Sequence, residues 1–153
     1  MTESAAAAKR GSSQQLEAFI ARALVAVGIS GAESASIAEL MARADLNGAD
    51  GHGVFRLPQY VRRIKGGAVN LRPDIRVERE APGMALIDGD NGMGHLVMRF
   101  ATEKAIEKAK HAGVAWVGVK WSNHAGPASL YAGMPVAHDM IGLYLAVGNA
   151  NHL

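Results

Sequence analysis

The sequence predicts an α/β protein in which amino-terminal helices precede a mixed sheet covered by helices. In the first part of the chain, apolar residues recur at steps of three and four, as they do on one face of a helix. In the second half, helix-like and strand-like segments alternate, an order typical of a sheet covered by helices. The 153 residues include 18 glycines but only 5% aromatics, which indicates many turns and close backbone approaches rather than a helical bundle.

Length and composition are those of one ordinary globular domain. Hydrophobic residues make up 49% of the chain and charged residues 20%. We divide the chain into a disordered alanine-rich tail (1–12), an amino-terminal helical region (13–70) and an α/β region (71–153).

Several classes of function are excluded by composition. The chain has no cysteine, so it forms no disulfides, thiolate nucleophiles or cysteine-ligated metal centres. Its net charge is +2 and its basic residues are scattered, which gives no support to nucleic-acid binding. No apolar run is long enough to cross a bilayer, and the start of the chain lacks the apolar core of a secretory signal. We therefore expect a cytoplasmic protein without a membrane partner.

Three helices are predicted in the amino-terminal region. The first covers residues 13–27 and ends at Gly28, a residue suited to a left-handed turn. The second runs from Ser30 to about Leu46, before an Asn-Gly break. The third covers residues 56–65. Proline is tolerated only in the first turn of a helix, so Pro58 places the start of this helix near residues 55–57.

Strand patterns follow the third helix. Alternating apolar and polar residues between Asp74 and Asp88 predict two strands joined at Pro82-Gly83. We interpret residues 88–92 as a loop; the spacing of its acids and the missing terminal glutamate do not fit an EF-hand, so a plain turn is favoured over a calcium site.

The remaining elements alternate between helix and strand. Residues 94–112 carry a clear helical pattern that ends at Gly113. The continuous apolar run at 114–119 is typical of a strand buried on both faces. We expect another helix over 127–137, strained by Pro135, and a last apolar strand over 140–147.

A candidate carboxylate site lies at the start of the third helix. His52, Arg56 and Tyr60 are spaced by four, which would place their side chains on one helical face. An arginine binds a carboxylate through two parallel hydrogen bonds, and an imidazole or phenol supplies one more. The amino-terminal end of a helix also favours anions. The same spacing also occurs on helices that merely expose such groups to solvent, and the residues alone do not decide between the two.

His124 is the candidate proton carrier, because it follows a predicted buried strand in a polar loop. Ligands gather at the carboxyl ends of strands in open α/β sheets, and histidine exchanges protons near neutrality. The alternative is a loop histidine bonded to backbone. The six histidines form no closely spaced ligand pair, so we expect no catalytic metal. Gly89, Gly92 and Gly94 match neither GxGxxG nor a P-loop, so we expect a fold other than the Rossmann fold.

Two motifs in this order resemble the type 2 malate/L-lactate dehydrogenase family, which includes ureidoglycolate and sulfolactate dehydrogenases and an imine reductase. The first motif is Asp50-Gly51-His52-Gly53-Val54-Phe55-Arg56-Leu57-Pro58-Gln59-Tyr60, followed by Ile64-Lys65-Gly66-Gly67. The second motif is Ser122-Asn123-His124-Ala125-Gly126-Pro127-Ala128, with Tyr131-Ala132 beyond it. The resemblance extends from about residue 13 to the end of the chain.

The resemblance implies hydride transfer between NAD or NADP and a small 2-oxo or 2-hydroxy acid, usually in a homodimer. In that case His124 matches the catalytic proton donor and acceptor, and Arg56 matches the arginine that holds the substrate carboxylate. His52 and Tyr60 match residues that line the same pocket. The pair Gly148-Asn149 resembles the start of a cofactor-contacting segment. The acid itself and the choice between the two cofactors stay open.

Two departures from the family pattern bear on function. Family members commonly carry an aromatic residue in place of Ala125, so we expect an altered wall beside His124. The family chain continues well beyond Leu153, so residues 71–153 would be only part of an α/β dehydrogenase domain. Two hypotheses therefore stay open: a dehydrogenase of the malate/lactate type, or a truncated and inactive remnant that only binds a small acid or dimerises.

Overall fold

Three helices form the amino-terminal part of the structure, a computed structural model that describes residues 11–147. Their bounds are α1 (Ser13–Val25), α2 (Gly31–Leu46) and α3 (Leu57–Lys65). Each begins and ends within two residues of the prediction. Ser12 caps α1, because its side-chain oxygen accepts a hydrogen bond from the backbone N–H of Gln15. The predicted tail lies, for its first ten residues, outside the described range.

The apolar faces of these helices meet in one core. Its fully buried side chains include Ile20 and Leu24 of α1 and Ile37 and Met41 of α2. Tyr60 belongs to the same core although its hydroxyl is polar. A buried phenol normally requires a hydrogen-bond partner, and the partner of Tyr60 is described below.

A three-stranded sheet lies beyond the helices. Strands β1 (Arg76–Ala81) and β2 (Met84–Gly92) pair antiparallel, and β2 pairs parallel with β3 (Trp116–Ser122), in the order β1-β2-β3. The helix α4 (Gly94–Ala112) connects β2 to β3 and packs on the sheet. A mixed sheet covered by a helix and preceded by helices confirms the predicted fold class.

The loop predicted at residues 88–92 is wrong, because these residues belong to β2. Pairing with β3 continues to Asp88, is interrupted, and resumes at Gly92 opposite Ser122. Asp90 and Asn91 have left-handed backbone, with φ of 46° and 55°. Asparagine and aspartate adopt this conformation more readily than most other residues. The residues that suggested a turn therefore form an irregularity within a strand.

Strand β3 is also not buried on both faces as predicted. It forms one edge of the sheet, and its residues are half-buried or exposed. Within residues 11–147 no second strand pairs with its outer edge. An apolar run therefore indicates a strand that is suited to burial, while the neighbours that would bury it depend on the rest of the fold.

The last two predicted elements are likewise wrong. The helix expected over 127–137 is divided into a short α5 (Ser129–Ala132) and a 3₁₀ turn (Met134–His138), because Pro135 has no N–H to donate. Residues 140–147 form no strand. Ile141 and Val147 are fully exposed, and Tyr144 stacks on Tyr131. A strand requires a neighbouring strand for its backbone hydrogen bonds, and within residues 11–147 no strand pairs with this segment. No helix within residues 11–147 is long and apolar enough to cross a membrane.

Candidate functional site

The segment between α2 and α3 consists of two 3₁₀ turns, Asp50–His52 and Val54–Arg56. The predicted single helical face for His52, Arg56 and Tyr60 is therefore wrong, because only Tyr60 lies inside α3. Asp45 of α2 holds the second turn: its carboxylate accepts a hydrogen bond of 2.8 Å from the backbone N–H of Val54. A side chain at Gly53 would collide with that carboxylate, so a larger residue there would displace Asp45 from its hydrogen bond to Val54.

The loop after β3 carries His124 and is tied to two other elements through Asn123. The amide Nδ2 of Asn123 lies 2.9 Å from the backbone oxygens of Asn91 and Gly92 at the end of β2. Its Oδ1 accepts a hydrogen bond of 2.9 Å from Nη2 of Arg63 in α3. The loop therefore bridges the sheet and the helix that carries Tyr60.

The structure brings His124 together with two of the residues predicted to share its pocket. Nδ1 of His124 lies 2.7 Å from the hydroxyl of Tyr60. The ring of His52 stacks on that of His124, with centroids 5.5 Å apart and planes at 21°. Tyr60 and His124 are 64 residues apart in the sequence, so their contact depends on tertiary packing.

Burial and nearby cations control the charge of this cluster. Burial lowers the pKa of His124, and Arg56 and His52 lower it further because each disfavours a second positive charge. Burial raises the pKa of Tyr60, against an opposite effect of Arg56, so its phenol stays protonated. A hydroxyl both donates and accepts, so Tyr60 donates to Nδ1 when that nitrogen is bare and accepts from it when it is protonated.

Arg56 is positioned by hydrogen bonds on one side of its guanidinium. Nε donates to the backbone oxygen of Gly51 at 2.7 Å, and Nη1 donates to Oε1 of Gln59 at 2.8 Å. Nη2 has no hydrogen bond to another of the described residues. The guanidinium is thus oriented near His124 with donors left for an anion.

His95, the second residue of α4, is a site residue that sequence reasoning missed. It is fully buried, and neither ring nitrogen has a hydrogen-bond partner among residues 11–147. Its ring meets that of Tyr60 edge-on, with centroids 5.5 Å apart. The only sequence signal is a polar residue in the first turn of an otherwise well-patterned helix, and helical periodicity by itself gives such a residue no role.

Acid should destabilise the protein through His95. Burial, and then His124 and Arg99, lower its pKa from 6.5 to about 3, so the unfolded chain binds this proton more readily than the folded one. Stability due to His95 is therefore complete above pH 6.5 and is lost as the pH falls towards 3, by up to roughly 1.4 kcal/mol per pH unit.

Urea unfolding of the wild type and of His95→Phe between pH 7 and 4 measures this effect. The variant should show the smaller loss of unfolding free energy on acidification. His111→Gln, which alters an exposed histidine of the same helix, serves as the matched control and should follow the wild type. Equal pH dependence of the wild type and His95→Phe would contradict the prediction.

The described residues offer neither a metal site nor a phosphate-binding turn. Among residues 11–147, no three His, Cys, Asp or Glu side chains lie close enough to hold a metal ion. Gly89, Gly92 and Gly94 are packed against the chain's own atoms, so they form no cradle for nucleotide phosphates. The predicted cofactor contacts, Gly148 and Asn149, lie outside the described residues. Among the described residues, these three glycines therefore offer no phosphate-binding turn.

Ala125, where the sequence departs from the expected motif, does not lie in solvent. Its side chain is buried in a cluster with Leu40 and Ala44 of α2 and with Leu130 and Tyr131 of α5. The departure therefore affects the packing behind the loop of His124.

Comparisons with known proteins all find dehydrogenases of one family. A family model described as malate/L-lactate dehydrogenase matches residues 12–152. Malate dehydrogenase from Pyrococcus horikoshii is 44% identical over 129 residues, which are 84% of this chain and 36% of that protein. Its solved structure matches with a TM-score of 0.82 at 42% identity, over 85% of this chain and 37% of that one.

Two further relatives carry other names. L-sulfolactate dehydrogenase from Methanothermobacter thermautotrophicus is 42% identical over 84% of this chain and 38% of its own length. Ureidoglycolate dehydrogenase (NAD(+)) from Escherichia coli is 31% identical over 86% of this chain and 38% of its own length. The chain thus spans between a third and two fifths of the relatives that it matches.

Proposed function

This chain belongs to the malate/L-lactate dehydrogenase family, and we therefore propose that it carries the acid-binding and proton-transfer residues of an NAD(P)-dependent 2-hydroxyacid dehydrogenase. The observation that carries the proposal is the meeting of Tyr60 and His52 with His124 beside a guanidinium with free donors. Malate and ureidoglycolate, which appear in the names of two relatives, both have a hydroxyl on the carbon next to a carboxylate. A cation and a proton carrier are the two groups that such a substrate requires.

Arg56 would bind the carboxylate of the acid through Nη2 and, with a modest shift, a second donor. This places the neighbouring carbonyl or hydroxyl oxygen towards the imidazole of His124. The nicotinamide cofactor, when bound, supplies or accepts the hydride. Among the described residues, Arg56 would hold the acid and His124 would carry the proton, while the predicted cofactor contacts Gly148 and Asn149 lie outside residues 11–147.

His124 would exchange the proton through Nε2. In reduction, the protonated imidazole donates from Nε2 to the carbonyl oxygen while Nδ1–H donates to Tyr60. In oxidation, a bare Nε2 takes the hydroxyl proton, and the Tyr60 contact persists because the phenol accepts as well as donates. The lowered pKa of His124 favours the neutral base, and hence oxidation, at neutral pH.

A turnover assay on the 153-residue chain tests the proposal. We expect consumption of NADH or NADPH in the presence of oxaloacetate, pyruvate or a related 2-oxo acid. Absence of turnover together with absence of nucleotide binding by calorimetry would reject a dehydrogenase activity for this chain.

The second candidate, an inactive remnant that binds a small acid, is favoured by one observation. Nη2 of Arg56 has no hydrogen bond to another of the described residues, so the chain can hold an acid whether or not it binds a nucleotide. Calorimetry separates the two functions: binding of a 2-hydroxy acid without any binding of NAD or NADP would select the remnant. The homodimer and the cytoplasmic location stay predictions, and light scattering of the purified chain tests the first.

Arg56→Lys should raise KM for the 2-oxo acid by about tenfold or more and change kcat less. Lysine keeps the positive charge but loses the planar, two-pronged donor geometry that matches a carboxylate. Arg62→Lys is the matched control, since Arg62 lies on the exposed side of the same segment. Equal KM values for Arg56→Lys and the wild type would show that Arg56 does not hold the carboxylate.

A further inference from the structure

His95 lies behind the two groups that contact Nδ1 of His124. One is Tyr60, whose hydroxyl is 2.7 Å from Nδ1 and whose ring meets His95 edge-on. The other is Gly126, whose backbone nitrogen is 3.4 Å from Nδ1. A Cβ built on Gly126 would lie 3.3 Å from Nε2 of His95, so the backbone of the loop passes close to the buried ring.

The environment of His95 keeps it in a single, neutral form. The side chain is fully buried, and its pKa of about 3 leaves it uncharged at neutral pH. Arg99 on the next turn of α4 opposes protonation, and its own guanidinium is bound to Glu39 of α2 at 2.7 Å. The neutral, buried ring supports its neighbours by contact and does not act by changing charge.

We infer that His95 is a positioning residue: its ring packs against Tyr60 and Gly126 and thereby fixes the orientation of the His124 imidazole and its contact with the Tyr60 hydroxyl. His95 reaches no reacting atom itself. The inference rests on the proposed function only for the statement that His124 transfers the proton; the packing relation stands on the contacts alone.

The alternative to a positioning role is a general contribution of His95 to the core. The two differ in what a large-to-small change does at His124. Burial is the largest cause of the lowered pKa of His124, and the groups that face it are Tyr60, Arg56 and His52. His95 is uncharged in the pH range in which His124 titrates, so a change at His95 alters the His124 titration through the burial and the contacts of Tyr60 and the loop and not through charge.

Titration of the histidine ring resonances by NMR tests the inference on the 153-residue chain without any need for turnover. In His95→Ala the pKa of His124 should rise by about half a unit or more towards its ordinary value, because the loosened Tyr60 contact admits water. His95→Phe keeps a flat ring against Tyr60 and should leave the His124 titration close to that of the wild type. The His124 signal is assigned with His124→Gln.

Val97→Ala is the matched control, since Val97 is fully buried two residues further along the same helix and lies against β2, where a Cβ built on Gly89 would be 2.7 Å from its side chain. It creates a cavity on the sheet side and should leave His124 unchanged. His95→Leu repeats the measurement should His95→Ala be too unstable to fold. An unchanged His124 titration in a folded His95→Ala or His95→Leu would overturn the inference, and so would equal shifts in Val97→Ala or His95→Phe. Because no step requires substrate or cofactor, a negative turnover assay leaves this test intact.

Discussion

His124→Gln is expected to lower kcat/KM for reduction of a 2-oxo acid by about 10²–10⁴-fold, the usual contribution of a positioned proton carrier. Glutamine keeps a polar side chain of similar length, but it does not exchange a proton near neutrality. Because the His124 side chain is partly exposed and the glutamine amide can still bond to the Tyr60 hydroxyl, the free energy of unfolding should fall by no more than about 1 kcal/mol. Steady-state kinetics and urea unfolding of the same preparation measure both quantities.

The pH profile sharpens this result. Reduction requires protonated His124, so wild-type kcat/KM for the oxo acid should fall as the pH rises through a pKa below 6.5. Oxidation requires the neutral form and should rise through the same pKa. His124→Gln should lose both limbs, while His111→Gln, at an exposed position of α4, should retain them. A variant that kept the wild-type rate and profile would contradict the role of His124.

Gly94→Ala is expected to lower the free energy of unfolding by about 3 kcal/mol or more, near the upper end for a single substitution. A Cβ on Gly94 would collide with the backbone oxygen of Asn123 and would lie 2.5 Å from that of His124. Both obstacles are main-chain atoms, so no side-chain rotation relieves the overlap. The loop that carries His124 would have to move away from the start of α4.

Chemical denaturation of Gly94→Ala and of Gly31→Ala tests this packing. Gly31 begins α2 and has no atom within 4 Å of its ideal Cβ, so its substitution should be nearly neutral or slightly stabilising. If Gly94→Ala were as stable as the wild type, the loop of His124 would not pass over the start of α4 as described.

Much of the fold follows from local patterns. The bounds of α1, α2 and α4 were predictable because their apolar periodicity, the caps Ser12 and Ser30, and the left-handed Gly113 all act within a few residues. The hairpin of β1 and β2 was predictable for the same reason. The irregular end of β2 and the segment 140–147 were not, since each depends on which strand lies alongside.

The residues of the site could be predicted from the sequence, but their arrangement in space could not. Two motifs and their resemblance to a family singled out His52, Arg56, Tyr60 and His124 as residues of one pocket. Helical spacing gave a wrong geometry for the first three, because the chain makes two 3₁₀ turns held by Asp45 before α3 begins. The contacts of His52 and Tyr60 with His124 depend on how the amino-terminal helices pack beside the sheet, which no local pattern specifies.

The sequence by itself determined the helices α1 to α4, the hairpin, the order of helix and strand as far as β3, and the chemical types of the site residues. These depend on interactions between residues three or four apart, or on a motif read along the chain. Only the tertiary structure decided the Tyr60–His124 contact, the tether of Asn123 to Arg63, and the place of His95 behind them. Each of these pairs joins residues more than thirty positions apart, and their proximity is set by packing of the whole core.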